Sequence, residues 1–98
     1  MKPIKQPKIP SGFAVKSVKK DCIKLIWRKA KDAVSYNLYI ANESAPSYTL
    51  YLANICDTSA VYKISDEAEL KIRRTYRLCA VDENGVESQG ALCYTVPV

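Results

Sequence analysis

The chain has 98 residues, of which 48% are hydrophobic and 26% are charged, a length and composition typical of one folded domain and not of a disordered chain. It has no histidine, which removes the commonest general base, the Ser-His and Cys-His nucleophile pairs and the His-containing zinc sites. No apolar run approaches the ~18 residues that a transmembrane helix needs. These exclusions predict a binding or structural module that is not an enzyme, with no catalytic residue, metal site or cofactor.

The net charge of +5 is unevenly distributed along the chain. Residues 1–31 carry ten basic side chains and one acidic one, a balance of +9, whereas residues 32–98 have a balance of −4. Such asymmetry can steer an anionic partner to one side of a protein. The basic third is nearly all lysine, and its two aromatic residues, Phe13 and Trp27, are expected in the core. A solvated basic surface is therefore favoured over a nucleic-acid site.

The first ten residues read MKPIKQPKIP. Three prolines and three lysines in so short a segment predict an extended, solvated arm. The segment lacks the apolar region of a secretory signal peptide. We expect residues 1–10 to be a Pro/Lys-rich arm or linker and residues 11–98 to form the folded domain, an arrangement typical of a boundary between tandem domains.

Short segments of alternating polar and apolar residues make up the rest of the chain, separated by turn-like sequences. Helical periodicity is confined to SDEAELK at 65–71, which fits either one turn of helix or a charged loop. Short strands without a long helix predict an antiparallel β-sandwich. The seven expected strands cover residues 13–16, 22–28, 36–41, 48–53, 58–64, 76–81 and 91–96. The side chains expected to face the core include Phe13, Val15, Ile23, Leu25, Trp27, Tyr36, Leu38, Tyr76 and Leu78.

Outward-facing tyrosines are the main hint of a binding surface. Tyr39 and Tyr51 are expected to point outward on neighbouring strands, with Tyr48, Tyr62 and Tyr94 nearby in the sequence. A flat strip of rings could stack on sugars or anchor a protein. Cross-strand pairing that only stabilises the sheet, by ~0.2–1 kcal/mol per pair, is the simpler explanation. The candidate binding surface consists of Tyr39 and Tyr51 together with Lys16 and Lys24.

The cysteines lack the Cys-x-x-Cys spacing of a redox motif or a zinc knuckle. Four cysteines allow three disulfide pairings. Their even number in a small domain favours an oxidising compartment. The alternative is a set of reduced thiols, some of them packed as small hydrophobic side chains.

Several of these segments resemble the fibronectin type III family. Phe13-x-Val15, Ile23-x-Leu25-x-Trp27 and Tyr36-x-Leu38 are similar to the family's first three strands, and the spacing from Phe13 to Trp27 fits without a gap. The segment YRLCAVDENGVES at 76–88 resembles the sixth strand and following loop of bacterial members. The resemblance covers residues 10–96 and implies an all-β, seven-stranded antiparallel immunoglobulin-like sandwich.

Two departures from the family pattern affect what the resemblance implies. The family's tyrosine corner pairs a leucine with a tyrosine six residues later, as Leu70 and Tyr76 do, but aligning on Ala80-Val81 puts Arg74 at the corner instead. The family also usually lacks cysteine. With the family's strand order, the implied disulfides are Cys79–Cys93 and Cys22–Cys56, unless the outward thiols are merely near each other and stay reduced.

The resemblance implies a non-catalytic module of a larger extracellular or cell-surface protein, acting as a spacer and protein-interaction unit. Its partner would be another protein or neighbouring domains of the same chain. The alternative is a carbohydrate-binding accessory module of a secreted glycan-active protein, which would use the tyrosine strip on a polysaccharide. A third hypothesis is that the basic third binds an anionic polymer, with an affinity that falls steeply with salt.

Overall fold

A computed structural model of the chain describes residues 6–97. Seven strands and one short 3-10 helix follow one another along the chain. They are β1 (Ala14–Val18), β2 (Cys22–Ile26), β3 (Ser35–Asn42), β4 (Thr49–Ile55), β5 (Ser59–Lys63), the 3-10 helix (Glu67–Lys71), β6 (Arg74–Val81) and β7 (Ala91–Thr95). Each strand lies within two residues of its predicted bounds at either end.

The strands form two antiparallel sheets that pack face to face. One sheet has three strands in the order β1-β2-β5, and the other has four in the order β4-β3-β6-β7. The all-β sandwich predicted from the alternation of polar and apolar residues is confirmed. The segment 65–71, for which helix and loop were both open, is the 3-10 helix, and the Asp66 carboxylate caps it by accepting from the Ala68 backbone N–H at 3.0 Å.

The core lies between the sheets and includes the aromatic ring of Trp27. This ring packs edge-on against Tyr36 at 5.4 Å and against Phe13 at 6.1 Å between centroids. The Tyr36 hydroxyl accepts a hydrogen bond from the Ala30 backbone N–H at 2.9 Å, which ties the loop after β2 to the core. Of the nine side chains expected to face the core, seven are buried, and Phe13 and Val15 are partly buried against them.

Arg74 takes the place of a corner tyrosine at the start of β6. Its side chain is 2% exposed, its guanidinium lies 4.5 Å from the centroid of the Tyr62 ring, and its Nη2 donates to the Glu69 backbone oxygen at 3.4 Å. A corner tyrosine makes the same kind of contact to the backbone a few residues upstream. Tyr76 lies fully buried in the middle of the core, and its hydroxyl is 3.2 Å from that of Thr95. The alignment on Ala80-Val81 therefore identifies the corner.

The folded body includes Pro10 and Ser11. Pro10 is buried, and the Ser11 backbone oxygen accepts from the Arg28 N–H at 2.9 Å. The first five residues of the expected arm lie outside the described residues, so a division at residue 10 stays a prediction. Residues 6–97 contain no helix with the length and hydropathy of a transmembrane span.

Candidate functional site

The structure does not bring the four predicted binding residues together. Lys16 and Lys24 lie on the three-stranded sheet, and Lys24 points outward between the buried Ile23 and Leu25. Tyr39 lies on the outer face of the four-stranded sheet, in β3. Tyr51 is on the neighbouring strand β4, but its ring points the other way. The predicted outward direction of Tyr51 beside Tyr39 is therefore wrong.

A bulge in β4 turns Tyr51 away from the outer face. Leu38 is paired with Leu52 and the adjacent Tyr39 with Leu50, so Tyr51 is an extra residue with no partner in β3. Its ring packs on the Tyr62 ring of the opposite sheet at 4.8 Å, and its hydroxyl accepts from the Lys63 backbone N–H at 3.2 Å. Tyr51 therefore closes one open side of the sandwich.

A different set of side chains covers the outer face of the four-stranded sheet. Leu50, Tyr39, Arg77 and Leu92 form one row across its four strands, because each is the cross-strand partner of the next. Tyr94 lies beside this row, opposite Thr75. We call this surface the broad face and define it by Tyr39, Tyr48, Leu50, Arg77, Leu92 and Tyr94.

The broad face exposes large apolar side chains. The exposed fractions are 64% for Tyr94, 60% for Leu92, 49% for Leu50 and 40% for Tyr48. An open depression of about 170 Å³ lies at one end of the face, lined in part by Tyr48, Arg73 and Thr75. The outer face of a solvated antiparallel sheet is normally polar, so this composition marks the broad face as a candidate interaction surface.

Arg77 lies at the centre of the broad face between two tyrosine rings. Its guanidinium carbon is 5.6 Å from the Tyr39 ring centroid and 5.9 Å from that of Tyr48. Gly90 lies against the arginine stem, where a Cβ would overlap the Arg77 side chain. Within residues 6–97 the Arg77 side chain makes no ion pair and no hydrogen bond. The two rings and Gly90 thus hold the Arg77 guanidinium in place, and its N–H donors have no partner within residues 6–97.

The carboxylate of Glu87 is hydrogen-bonded to Tyr39, and the loop after β6 positions it. Glu87 bridges back to Val81, while the Asp82 carboxylate accepts from the Asn84 and Val86 backbone N–H groups at 2.9 Å each. Glu87 Oε2 accepts from the Tyr39 hydroxyl at 2.6 Å and from Asn37 Nδ2 at 3.1 Å. The hydrogen bond to Glu87, with burial and the carboxylate charge, raises the pKa of Tyr39 to about 12.

The predicted disulfides are not formed, since all four cysteines are free. Cys93 is paired with the inward-facing Tyr76 and packs against the core, whereas Cys79 is paired with Asn37 on the outer side of the same sheet. These two thiols lie on opposite faces of the sheet and cannot bond. Burial raises the pKa of both, to about 12 for Cys93.

The second predicted pair is separated along β2. Cys22 begins β2 opposite Lys63, and Cys56 precedes Ser59, which is opposite Ile26 at the other end of the strand. The two thiols therefore lie at opposite ends of the three-stranded sheet. The family's strand order correctly makes β2 and β5 neighbours. The register between the two strands, however, determines which of their residues lie opposite each other.

The loop end of the sandwich is a weaker candidate. Two open depressions of about 380 and 410 Å³ share Lys29, Ala33 and Val34 in their linings. The first is lined by Asp82 and Glu83 and the second by Cys56 and Thr58. Among the described residues, no group of three or more His, Cys, Asp and Glu side chains is arranged to hold a metal ion. Mixed charges and small side chains here are typical of solvated loops.

The sequence pointed to the tyrosines of the broad face but not to Leu50, Arg77 and Leu92. In β7 the inward positions hold the small Ala91, Cys93 and Thr95, and the outward ones hold Leu92 and Tyr94. That pattern of sizes was a usable signal. No such signal marked Arg77, because its guanidinium is held by the rings of Tyr39 and Tyr48, which come from other segments of the chain.

Solved structures give the family of this fold, while family models and curated proteins give no match. An Fn3-like protein from Clostridium thermocellum superposes with a TM-score of 0.73 and 26% identity, over 93% of each chain. The fibronectin type III domain of human fibronectin type III domain containing protein 3 superposes with a TM-score of 0.71 and 15% identity, over 99% of this chain and 93% of that domain. The glycoside hydrolase domain of Endo-D from Streptococcus pneumoniae R6 superposes with a TM-score of 0.69 and 23% identity, over 94% of this chain but only 15% of that chain.

Two antiparallel sheets, with three strands facing four, define an immunoglobulin-like β-sandwich. The chain has the fold of a fibronectin type III domain, as the resemblance implied.

Proposed function

We propose that the chain is a non-catalytic interaction module that binds a protein partner through the broad face. The observation that carries this proposal is the exposure of Leu50, Leu92 and Tyr94 around Arg77 on one surface. Tyrosine and arginine are enriched at protein interfaces and among the residues that contribute most to binding. Exposed apolar side chains with an arginine at their centre are an arrangement suited to a protein partner.

The module would serve within a larger protein, outside the cell or on its surface. The match to Endo-D supports a place within a larger protein, since it covers 94% of this chain and 15% of that one. A sandwich of this kind would also act as a spacer between neighbouring domains. The edges of the broad face are the strands β4 and β7, so a neighbouring domain could contact the face directly.

Carbohydrate binding is a second candidate, and Tyr48 and Tyr94 favour it. Both rings are exposed on the broad face, and aromatic rings can stack on sugars. Titration with soluble polysaccharides would give binding that Tyr48→Ala and Tyr94→Ala abolish and Leu50→Ser does not. The absence of detectable binding up to millimolar sugar in this titration would exclude carbohydrate binding.

The protein-partner proposal is tested by photo-crosslinking at matched positions. The photoreactive residue p-benzoylphenylalanine replaces Leu92 on the broad face in one variant, and Val61 on the other sheet in the control; these side chains are 60% and 41% exposed. After incubation with extract of the source cells, we expect a protein adduct at position 92 and none at 61. Excess unlabelled wild-type domain should suppress it, while a Leu50→Ser/Leu92→Ser domain should not. Equal adducts at both positions would contradict the proposal.

A further inference from the structure

We propose that the partner places a carboxylate on the Arg77 guanidinium, between flanking apolar contacts at Leu50 and Leu92. This inference rests on the proposed function and specifies the chemistry of the partner. An acidic side chain beside aliphatic or aromatic residues, on a short extended segment, would match the row Leu50–Tyr39–Arg77–Leu92 across the sheet.

The first argument is the unmet hydrogen-bonding capacity of Arg77. A guanidinium has five donors in a planar fork that matches a carboxylate with two parallel bonds. Within residues 6–97 none of these donors has a partner. Glu87, which is hydrogen-bonded to the neighbouring Tyr39, already accepts two bonds at Oε2, from Tyr39 and Asn37. The Arg77 donors are therefore available to a carboxylate of another molecule.

The second argument is that Arg77 is already oriented. The Tyr39 and Tyr48 rings lie within 6 Å of its guanidinium carbon, and Gly90 leaves just enough room for its stem. Cation–π contacts hold an arginine in place without occupying its in-plane donors. A side chain held in its binding geometry loses less conformational freedom when the partner arrives.

The third argument favours a different molecule over a second copy of the chain as the occupant. A symmetric dimer uses the same patch on both subunits. With Arg77 in the central row of the patch, face-to-face pairing would bring two guanidinium groups toward each other. Like charges in an interface oppose association, so the geometry favours an acidic partner.

The experiment uses a displayed library of random 12-residue peptides as the probe. The library is selected in parallel on the full wild-type chain and on Arg77→Gln, with circular dichroism and thermal melts to establish that both are folded. Enriched peptides are then synthesised with each acidic residue changed to its amide. Amide chemical-shift mapping locates the peptide on the domain, and Arg77→Lys provides a variant that keeps the charge but loses the fork.

We expect the peptides selected on wild type to contain Asp or Glu beside an aliphatic or aromatic residue. Changing that acid to its amide should weaken binding about tenfold or more. Arg77→Gln should cause a similar loss, the two changes together should cost no more than either, and Arg77→Lys should be intermediate. Raising the salt concentration should weaken the wild-type complex more than the Arg77→Gln complex.

Two outcomes overturn the inference and are distinguishable from each other. Peptides that map to the broad face but need no acid, or bind Arg77→Gln equally well, refute the carboxylate while leaving the proposed function intact. Peptides that map to the loop end or to the other sheet, or a library without enrichment on wild type, contradict both.

Discussion

The two outer faces of the sandwich arise from the same alternation of side chains but have different chemistry. On the three-stranded sheet, Lys24 lies at the centre of the face opposite Val61, and Cys22 lies opposite Lys63. On the four-stranded sheet, Arg77 is surrounded by aromatic and aliphatic side chains. The first surface has lysines beside its apolar side chains. The second exposes Leu50, Leu92 and Tyr94.

The difference between the faces is set by pairing between strands. No single strand contains the broad face, since Leu50, Tyr39, Arg77 and Leu92 each come from a different one. The bulge in β4 also puts Leu50 outward and Tyr51 inward, the reverse of the simple alternation. The composition of the broad face is therefore a property of the register.

The largest expected contrast between the faces is in thiol reactivity. Cys79 points outward on the four-stranded sheet yet is 1% exposed, whereas Cys56 is exposed at the loop end. Burial also raises the pKa of the Cys79 thiol, and only the thiolate reacts. In reduced protein at pH 8, we expect iodoacetamide to modify Cys79 slower than Cys56 by a factor on the order of 10³ or more, because Cys79 reacts through unfolding.

Peptide mapping by mass spectrometry over a time course measures these rates. Adding urea below the unfolding midpoint should accelerate Cys79 in proportion to the unfolded fraction and leave Cys56 nearly unchanged. Equal rates for the two thiols in the absence of urea would refute the packing over Cys79.

Both faces depend on the same core, and Trp27→Ala should weaken them together. Removing this ring, which is 5% exposed and packs on Phe13 and Tyr36, leaves a cavity. The expected loss of unfolding free energy is about 3–5 kcal/mol, a large part of the stability of a small domain. Urea denaturation followed by circular dichroism measures it. The exposed Leu92→Ala is the matched control, and an unchanged midpoint for Trp27→Ala would contradict the core assignment.

The sequence predicted the fold well because alternation, turns and the spacing of Ile23, Leu25 and Trp27 are local signals. It predicted the site poorly because the site depends on pairing. The inward direction of Tyr51 follows from an unpaired residue in β4, and the separation of Cys79 from Cys93 follows from the offset of β7 against β6. A shift of one residue reverses the face of every side chain in a strand. The choice of Arg74 over Tyr76 as the corner residue required its contact to Glu69, which only the structure shows.

Tyr39→Phe tests the hydrogen-bonded side of the broad face. The variant loses the donor to Glu87, and we expect it to be less stable by about 1 kcal/mol at pH 7. The pKa of Tyr39 is raised from 10.0 to about 12 by the folded structure. Its stabilising contribution is therefore fully present below pH 10 and is lost as the pH rises from 10 to 12.

Absorbance at 295 nm during alkaline titration follows tyrosine ionisation. Wild type should show the ionisation of Tyr39 near pH 12, and this transition should be missing in the Phe variant. Tyr62→Phe is the matched control, since burial raises the pKa of Tyr62 on the opposite sheet. If the ionisation near pH 12 is lost in both Tyr39→Phe and Tyr62→Phe, or in neither, Glu87 does not hold the Tyr39 hydroxyl.

The smallest effect on stability, and the most direct comparison of the faces, comes from Leu92→Ser against Val61→Ser. Both side chains are exposed on strands at a sheet edge, so each change should alter the unfolding free energy by less than about 1 kcal/mol. Retention on a hydrophobic-interaction column should fall clearly for Leu92→Ser, which interrupts a patch shared with Leu50 and Tyr94. It should fall little for Val61→Ser, since Val61 lies beside Lys24. Equal shifts would mean that the apolar surface is divided evenly between the sheets, and the broad face would lose its claim to be the binding surface.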